Sequence, residues 1–316
     1  MKTIYFAGGC FWGTEHFFSG VDGVVSAVSG YAQGRADFEG RPSYEQVYTD
    51  TTGFAETVRV TYRPERISLD TLVDLFFSII DPLSLNRQGH DEGTRYRTGV
   101  YYEDDADRPV LEAAFVRATE LAGQPIVVEL EPLRNFFEAE ERHQKYLDKN
   151  PDGYCHLPFK TFKYLRLYQD IASFLGDEPD LIARMAETAA LIYERMKFFW
   201  VGFYFVRDVA GKGSDRYAGS VQELVLGPFQ GPPACLRIAY GRGVCGTAWK
   251  EARTVVVPDV EAFPGHIACS SLSRSEIVVP FFANTKVTAV LDIDSTSLAT
   301  FDATDALWLE KICQLI

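Results

Sequence analysis

Apolar and polar positions alternate most regularly at residues 57–62, where Val58, Val60 and Tyr62 interleave with Thr57, Arg59 and Thr61. A period of two places one face inward, so Thr57–Tyr62 reads as a half-buried strand. Thr3–Ala7 is a short apolar run that ends at Gly8-Gly9, which predicts a buried strand turning tightly into a helix that begins near Cys10. Val24–Val28, Val100–Tyr102 and Ile126–Leu130 give further strands. Ser68 can cap a helix whose apolar face carries Leu72, Phe76 and Ile79 or Ile80. Leu111, Phe115, Ala118 and Ala122 recur at helical spacing, and Phe136–Leu147 also reads as a helix, ended by turn residues Lys149–Gly153.

A boundary is expected near Tyr168–Glu178, where Gly176 and Pro179 punctuate the chain. It divides a first domain at 1–168 and a linker at 169–178 from a second domain at 179–316. Pro179 suits a helix start, and Leu181, Met185, Ala189, Ile192 and Met196 then repeat helically. Beyond it the chain is mostly strand, at Trp200–Val206, Leu224–Phe229, Thr254–Val257, Ile277–Phe282 and Val287–Ile293. Arg207–Gln222 reads as a polar loop. Asp302 can cap a closing helix that carries Trp308, Ile312 and Ile316 on one face. The expected class is α+β in two domains, the second an antiparallel sheet flanked by helices. No internal repeat or low-complexity tract is evident.

Length agrees with two cores, since 316 residues exceed what one usually organises. The net charge of −13 disfavours contact with nucleic acid or an anionic membrane. No apolar run reaches membrane-span length, and the N-terminal apolar stretch is too short for a secretory signal. A soluble, cytoplasmic protein is expected. The six cysteines are few for a disulfide scaffold, and in a reducing compartment they point to redox chemistry or metal binding.

Cys10 lies in Gly8-Gly9-Cys10-Phe11-Trp12-Gly13. At a strand-to-helix turn, free amide N–H groups and the helix dipole favour thiolate. The glycines let the backbone turn and a substrate approach, and Phe11 and Trp12 offer an apolar wall for a methyl group. The plainer reading is a buried cysteine at an apolar helix start. Taken singly, Tyr44 and Tyr96 read as core tyrosines, Glu56 as a surface charge, and His143 and His156 as structural.

Together these blocks resemble the type A peptide methionine sulfoxide reductases. The resemblance covers about residues 1–165 and rests on Gly8–Gly13, Pro42–Val47, Gly53–Val58, Leu85–Arg97, His143–Leu147 and Gly153–His156. It implies a ferredoxin-like α/β sandwich with Cys10 as the nucleophile toward the sulfoxide sulfur. Glu56 would be the acid that protonates the departing oxygen, held protonated by burial. Tyr44, Tyr96 and Asp91 would hold that oxygen, and Phe11 and Trp12 the S-methyl group. Cys10 would become a sulfenic acid, Cys155 would condense with it, and a thioredoxin-like dithiol would reset the pair. Gly13 stands where some relatives carry a second cysteine, and Cys155 stands alone where some carry two.

Three more cysteines, Cys235, Cys245 and Cys269, lie on glycine-rich or polar stretches expected to be loops or element ends. Spacing alone leaves three readings open: a redox pair, a metal site with His266, or separate core residues. These segments, with Trp200–Tyr204, Leu226–Gly231, Ser275–Pro280 and Leu291–Ser295, resemble the GAF-domain free methionine-R-sulfoxide reductases over about 180–316. The resemblance implies Cys269 as nucleophile, Cys235 as its main resolving partner and Cys245 as an auxiliary thiol. Trp200 would pack on the methyl group. Glu276, Asp292 and Asp294 would hold the sulfoxide oxygen and the ammonium of a free amino acid. Cys313, on the last helix, reads as core.

The resemblances jointly imply one reductase for each sulfoxide epimer, S for peptide and free substrates and R for the free amino acid. No bound cofactor or metal is expected. Two rivals stand beside this reading. GAF domains often serve as small-ligand sensors without catalysis, although a sensor needs no cysteines. A thiol peroxidase could use Cys10, but peroxide reduction needs no methyl pocket.

Overall fold

The computed structural model describes residues 1–209, 221–267 and 270–316. The chain forms two compact units, Met1–Leu165 and Arg166–Ile316.

In the first unit, β1 (Lys2–Gly8) leads into α1 (Phe11–Ser19), followed by β2 (Val24–Ala32), α2 (Tyr44–Tyr48), β3 (Ala55–Tyr62) and α3 (Leu69–Phe77). The short strands β4 (Arg87–Gln88) and β5 (Asp91–Glu92) pair with each other, ahead of β6 (Thr98–Tyr102) and α4 (Arg108–Ala122). β7 (Glu129–Pro132), β8 (Phe136–Glu138) and α5 (Tyr146–Lys149) follow, and α6 (Phe159–Leu175) starts here and runs on into the second unit. The sheet order is β7-β6-β1-β3-β2-β8. Only its β6–β7 pair is parallel. Phe6 on β1 stacks on Phe18 of α1 at 4.6 Å and on Phe76 of α3 at 4.8 Å, so both helices cover one face of the sheet. Ser68 caps α3 as expected, accepting from the Thr71 amide at 3.0 Å.

In the second unit, α7 (Leu181–Met196) is capped by Asp180, which accepts from the Ala183 amide. Then come β9 (Trp200–Val209), β10 (Val221–Gln230), β11 (Arg237–Ala239), α8 (Gly243–Glu251) and β12 (Val255–Val257). β13 (Ser275–Ala283), β14 (Lys286–Ser295) and α9 (Ala303–Cys313) complete the chain. The sheet β11-β10-β9-β14-β13-β12 is antiparallel throughout. Asp302 caps α9, and Trp308, Ile312 and Cys313 are buried on it.

Five expectations need correction. Phe136–Leu147 is not a helix, because β8 pairs with β2 and the chain turns helical only at Tyr146. The strand expected at Ile126–Leu130 lies later, at Glu129–Pro132. The stretch expected as linker from 169 is α6 helix through Leu175. The loop expected at Arg207–Gln222 is strand at both ends, with Arg207 opposite Glu223 and Val209 opposite Val221. Cys245 sits in the first turn of α8 and is buried, not on an open loop. Cys269 and the middle of the Arg207–Gln222 stretch lie outside the described residues.

Candidate functional site

Antiparallel pairing sets Phe6 opposite Val58, which brings the end of β1 alongside Glu56 on β3. Gly9 turns the chain with φ +81°, and a side chain there would press into Gln88, with Cβ atoms 2.6 Å apart. Gln88 is itself fixed, because its amide accepts from the Asp81 N–H and donates to the Asp81 carbonyl, both at 2.8 Å. Cys10 therefore opens α1 at a rigid corner and is only 5% exposed.

Glu56 is 2% exposed and accepts from the Phe11 N–H at 2.9 Å. Burial pushes its pKa up to about 8, and the nearby charge of Asp91 adds to the shift, so the carboxyl keeps its proton at neutral pH. Burial also raises the Cys10 thiol well above its ordinary value, with Glu56 the next cause. This corrects the expectation of a helix-end thiolate. The Trp12 N–H does favour the anion, but desolvation outweighs it. Tyr44 and Tyr96 both feel the charge of Glu56, and burial raises their hydroxyls. An oxygen of Asp91, the Cys10 sulfur and a ring nitrogen of His156 all lie within 4.8 Å of one another. Asp91 Oδ2 is buried without a hydrogen-bond partner among the described residues.

Trp12 stacks on Tyr146 at 3.7 Å and donates through Nε1 to His143 Nδ1 at 3.2 Å. Trp12, Tyr44, Tyr48 and His143 line an open cleft. Phe11 is 1% exposed and packs beneath these rings rather than facing the cleft. Cys155 is a free, half-buried thiol pressed against α1. A methyl placed on Gly13 would lie 3.1 Å from Cys155 Sγ.

Sequence reasoning missed two residues that hold this site. Glu140 accepts from the Tyr31 hydroxyl at 2.7 Å and the Tyr44 N–H at 2.9 Å, which fixes Tyr44. Glu15, 1% exposed, accepts from the Lys145 N–H at 2.8 Å and anchors the turn bearing His143 and Tyr146. Neither residue carries a local signal, because both partners lie more than 90 residues away in the chain.

In the second unit the sheet register assembles the acids. Glu276 on β13 faces Asp294 on β14, which faces Trp200 on β9. Asp292 lies two residues before Asp294 and therefore shares its face. These four side chains, with Tyr204 and Cys245, line a partly open pocket. Burial raises Glu276 and Asp292 well above the usual carboxylate range, reinforced by the charge of Asp294 on both and by that of Glu276 on Asp292. Asp294 is pushed up to about 6, mainly by burial. The Cys245 thiol reaches Glu276 Oε1 at 4.0 Å, and burial raises it too. Trp200 is 4% exposed, and its Nε1 donates to the Pro232 carbonyl at 3.0 Å. His266, not expected here beyond a possible metal role, lies 3.6 Å from Glu276 Oε2. Cys235 is disulfide-bonded, whereas Cys245 is free.

Among the described residues, no helix is long and apolar enough to cross a membrane. Residues 177–316 match the family described as GAF domain. Two solved structures are similar over about half of the chain. A free methionine-R-sulfoxide reductase from Neisseria meningitidis, in complex with its substrate, is 52% identical over 48% of this chain and 84% of that one, with a TM-score of 0.42. A putative GAF sensor protein from Burkholderia vietnamiensis is 45% identical over 50% of this chain and 93% of that one, with a TM-score of 0.43. The peptide methionine sulfoxide reductase MsrA of Clostridium acetobutylicum is 50% identical over 163 residues, covering 52% of this chain and 99% of its own length. Residues 2–172, more than half the sequence, match the family described as Peptide methionine sulfoxide reductase, and the chain belongs to that family.

Proposed function

We propose that the two units divide methionine sulfoxide by epimer. The first reduces the S form in peptides and as the free amino acid, and the second reduces the free R form. The observation that carries the reading is a buried thiol set beside a buried carboxyl in each unit, Cys10 with Glu56, which burial holds protonated, and Cys245 with Glu276.

In the first unit Cys10 attacks the sulfoxide sulfur while Glu56 gives its proton to the oxygen. Tyr44, Tyr96 and Asp91 hold that oxygen, and Trp12 covers the methyl group, with Phe11 backing the wall. Methionine leaves, and Cys10 carries the oxygen as a sulfenic acid. Cys155 then attacks that sulfur, water departs, and a disulfide forms. A thioredoxin-type dithiol donor restores both thiols and is itself oxidised. In the second unit Cys269 is the nucleophile and Cys235 resolves it, with Cys245 auxiliary. The presence of Cys235 in a disulfide supports its redox role. Trp200 packs on the methyl group, and Glu276, Asp292 and Asp294 supply the proton and bind the ammonium.

Turnover of each purified epimer by Cys10→Ser and Cys269→Ser tests the division. Each substitution is expected to abolish one activity and spare the other; loss of both from a single change rejects it. A sensor role for the second unit is the reading that remains if R-epimer reduction persists with Cys235, Cys245 and Cys269 all replaced.

A further inference from the structure

Three metal-ligating side chains converge in the first unit. The Cys10 sulfur, a carboxylate oxygen of Asp91 and a ring nitrogen of His156 lie within 4.8 Å of one another. An ion set among three atoms at that spacing is at most about 2.8 Å from each, so shifts of under about 1 Å reach ordinary zinc bonds of about 2.0–2.3 Å. Each donor comes from a different segment, and each segment is held. Cys10 is the N-cap of α1. Asp91 pairs with Gln88 across the β4–β5 hairpin, and Gln88 is bonded twice to Asp81. The His156 ring packs against α1, with Nδ1 3.1 Å from where a Cβ on Gly13 would lie.

Charge favours a divalent ion at this spot. One thiolate and one carboxylate balance two positive charges, and burial pushes His156 down to about 4, so its imidazole is neutral with a lone pair to give. Cys245, Glu276 and Asp292 in the second unit meet the same spacing. They offer three anions and no imidazole, so a divalent ion there would leave a buried net charge.

We propose that Cys10, Asp91 and His156 form a binding site for a soft divalent cation of the zinc type, which reversibly blocks the reduced first unit. As the metal–sulfur bond forms, the thiol proton leaves to solvent and no electron moves. Three protein donors leave a fourth position for water. The block, but not the binding, rests on the reading of Cys10 as the S-epimer nucleophile.

The test starts with the full chain, reduced, freed of dithiol and titrated with Co2+ alone, because a cysteine thiolate on cobalt gives a charge-transfer band. The band is expected in the unaltered chain and in Cys245→Ser, and should be lost in Cys10→Ser. Asp91→Asn and His156→Gln should each need about tenfold more Co2+, or beyond. Zn2+ added before a single equivalent of the S epimer should suppress methionine release, and a chelator should restore it. His156→Gln should release methionine normally without metal and need about tenfold more Zn2+ for the same block. No band in the unaltered chain, or a band undiminished by Cys10→Ser, overturns the site. Unchanged metal affinity in both Asp91→Asn and His156→Gln means capture by a lone thiol and overturns it equally; should one variant not fold, the other decides. Failure of the metal-free chain to release methionine overturns the S-reductase reading instead, and the cobalt band still decides the site.

Discussion

Glu56 shows how one buried atom group sets the conditions for chemistry. Its pKa of about 8 means the acid form dominates below that value and is lost above it. S-epimer reduction should therefore fall as pH rises through about 8, as recorded in a pH–rate profile. Glu56→Gln should lower kcat about a hundredfold or more, the usual scale for a positioned general acid, and should flatten that alkaline limb. A limb that survives in the variant would assign the titration to another group. Gly13 makes a separate prediction. Alanine favours a helix interior by about 1 kcal/mol over glycine, so Gly13→Ala should not harm α1 itself. Its methyl would crowd Cys155 Sγ at 3.1 Å. The first equivalent of methionine should then be released normally, while steady-state turnover drops about tenfold because Cys155, the proposed recycling thiol, is displaced. Rapid-quench and multiple-turnover assays on the same protein separate the two.

At the level of elements, strand register brings distant acids together. Glu276 opposite Asp294 is a consequence of the β13–β14 hairpin, and the charges of both raise Asp292. Glu276→Gln removes a charge that pushes Asp292 up, so the ionisation governing R-epimer reduction should move to lower pH. An unmoved profile would mean that Asp292 does not govern it. Capping offers a control far from either site. Ser68→Ala should cost about 1 kcal/mol in denaturant unfolding without changing either activity.

The elements that the sequence displayed were those with their own period or cap, such as the alternation in β3, Ser68 before α3 and Asp302 before α9. Phe136–Leu147 misled because its apolar spacing is ambiguous in a short window, and pairing of β8 with β2, a long-range event, decided it. The cysteines and their acids were visible as motifs. The supports were not. Glu140 and Glu15 act through partners distant in the chain, and the raised Cys10 thiol follows from the packing around it rather than from its place at a helix end.

For the molecule as a whole, two active units on one chain predict a simple mass balance. Given an equal mixture of the two sulfur epimers of free L-methionine sulfoxide, the unaltered chain should consume all of it, whereas Cys10→Ser and Cys269→Ser should each stop at about half, leaving opposite epimers. Chiral chromatography of the residue reads the result directly, and a variant that runs to completion would show overlapping stereochemistry. The first site carries a further consequence for its clients. Its sulfur is only 5% exposed, so with Cys10 as the proposed nucleophile a damaged side chain has to be extended toward it to be mended. A sulfoxide locked inside a folded client stays out of reach until that client breathes, so the pace of repair would track the loosening of the damaged protein, and the most destabilised victims would be served first.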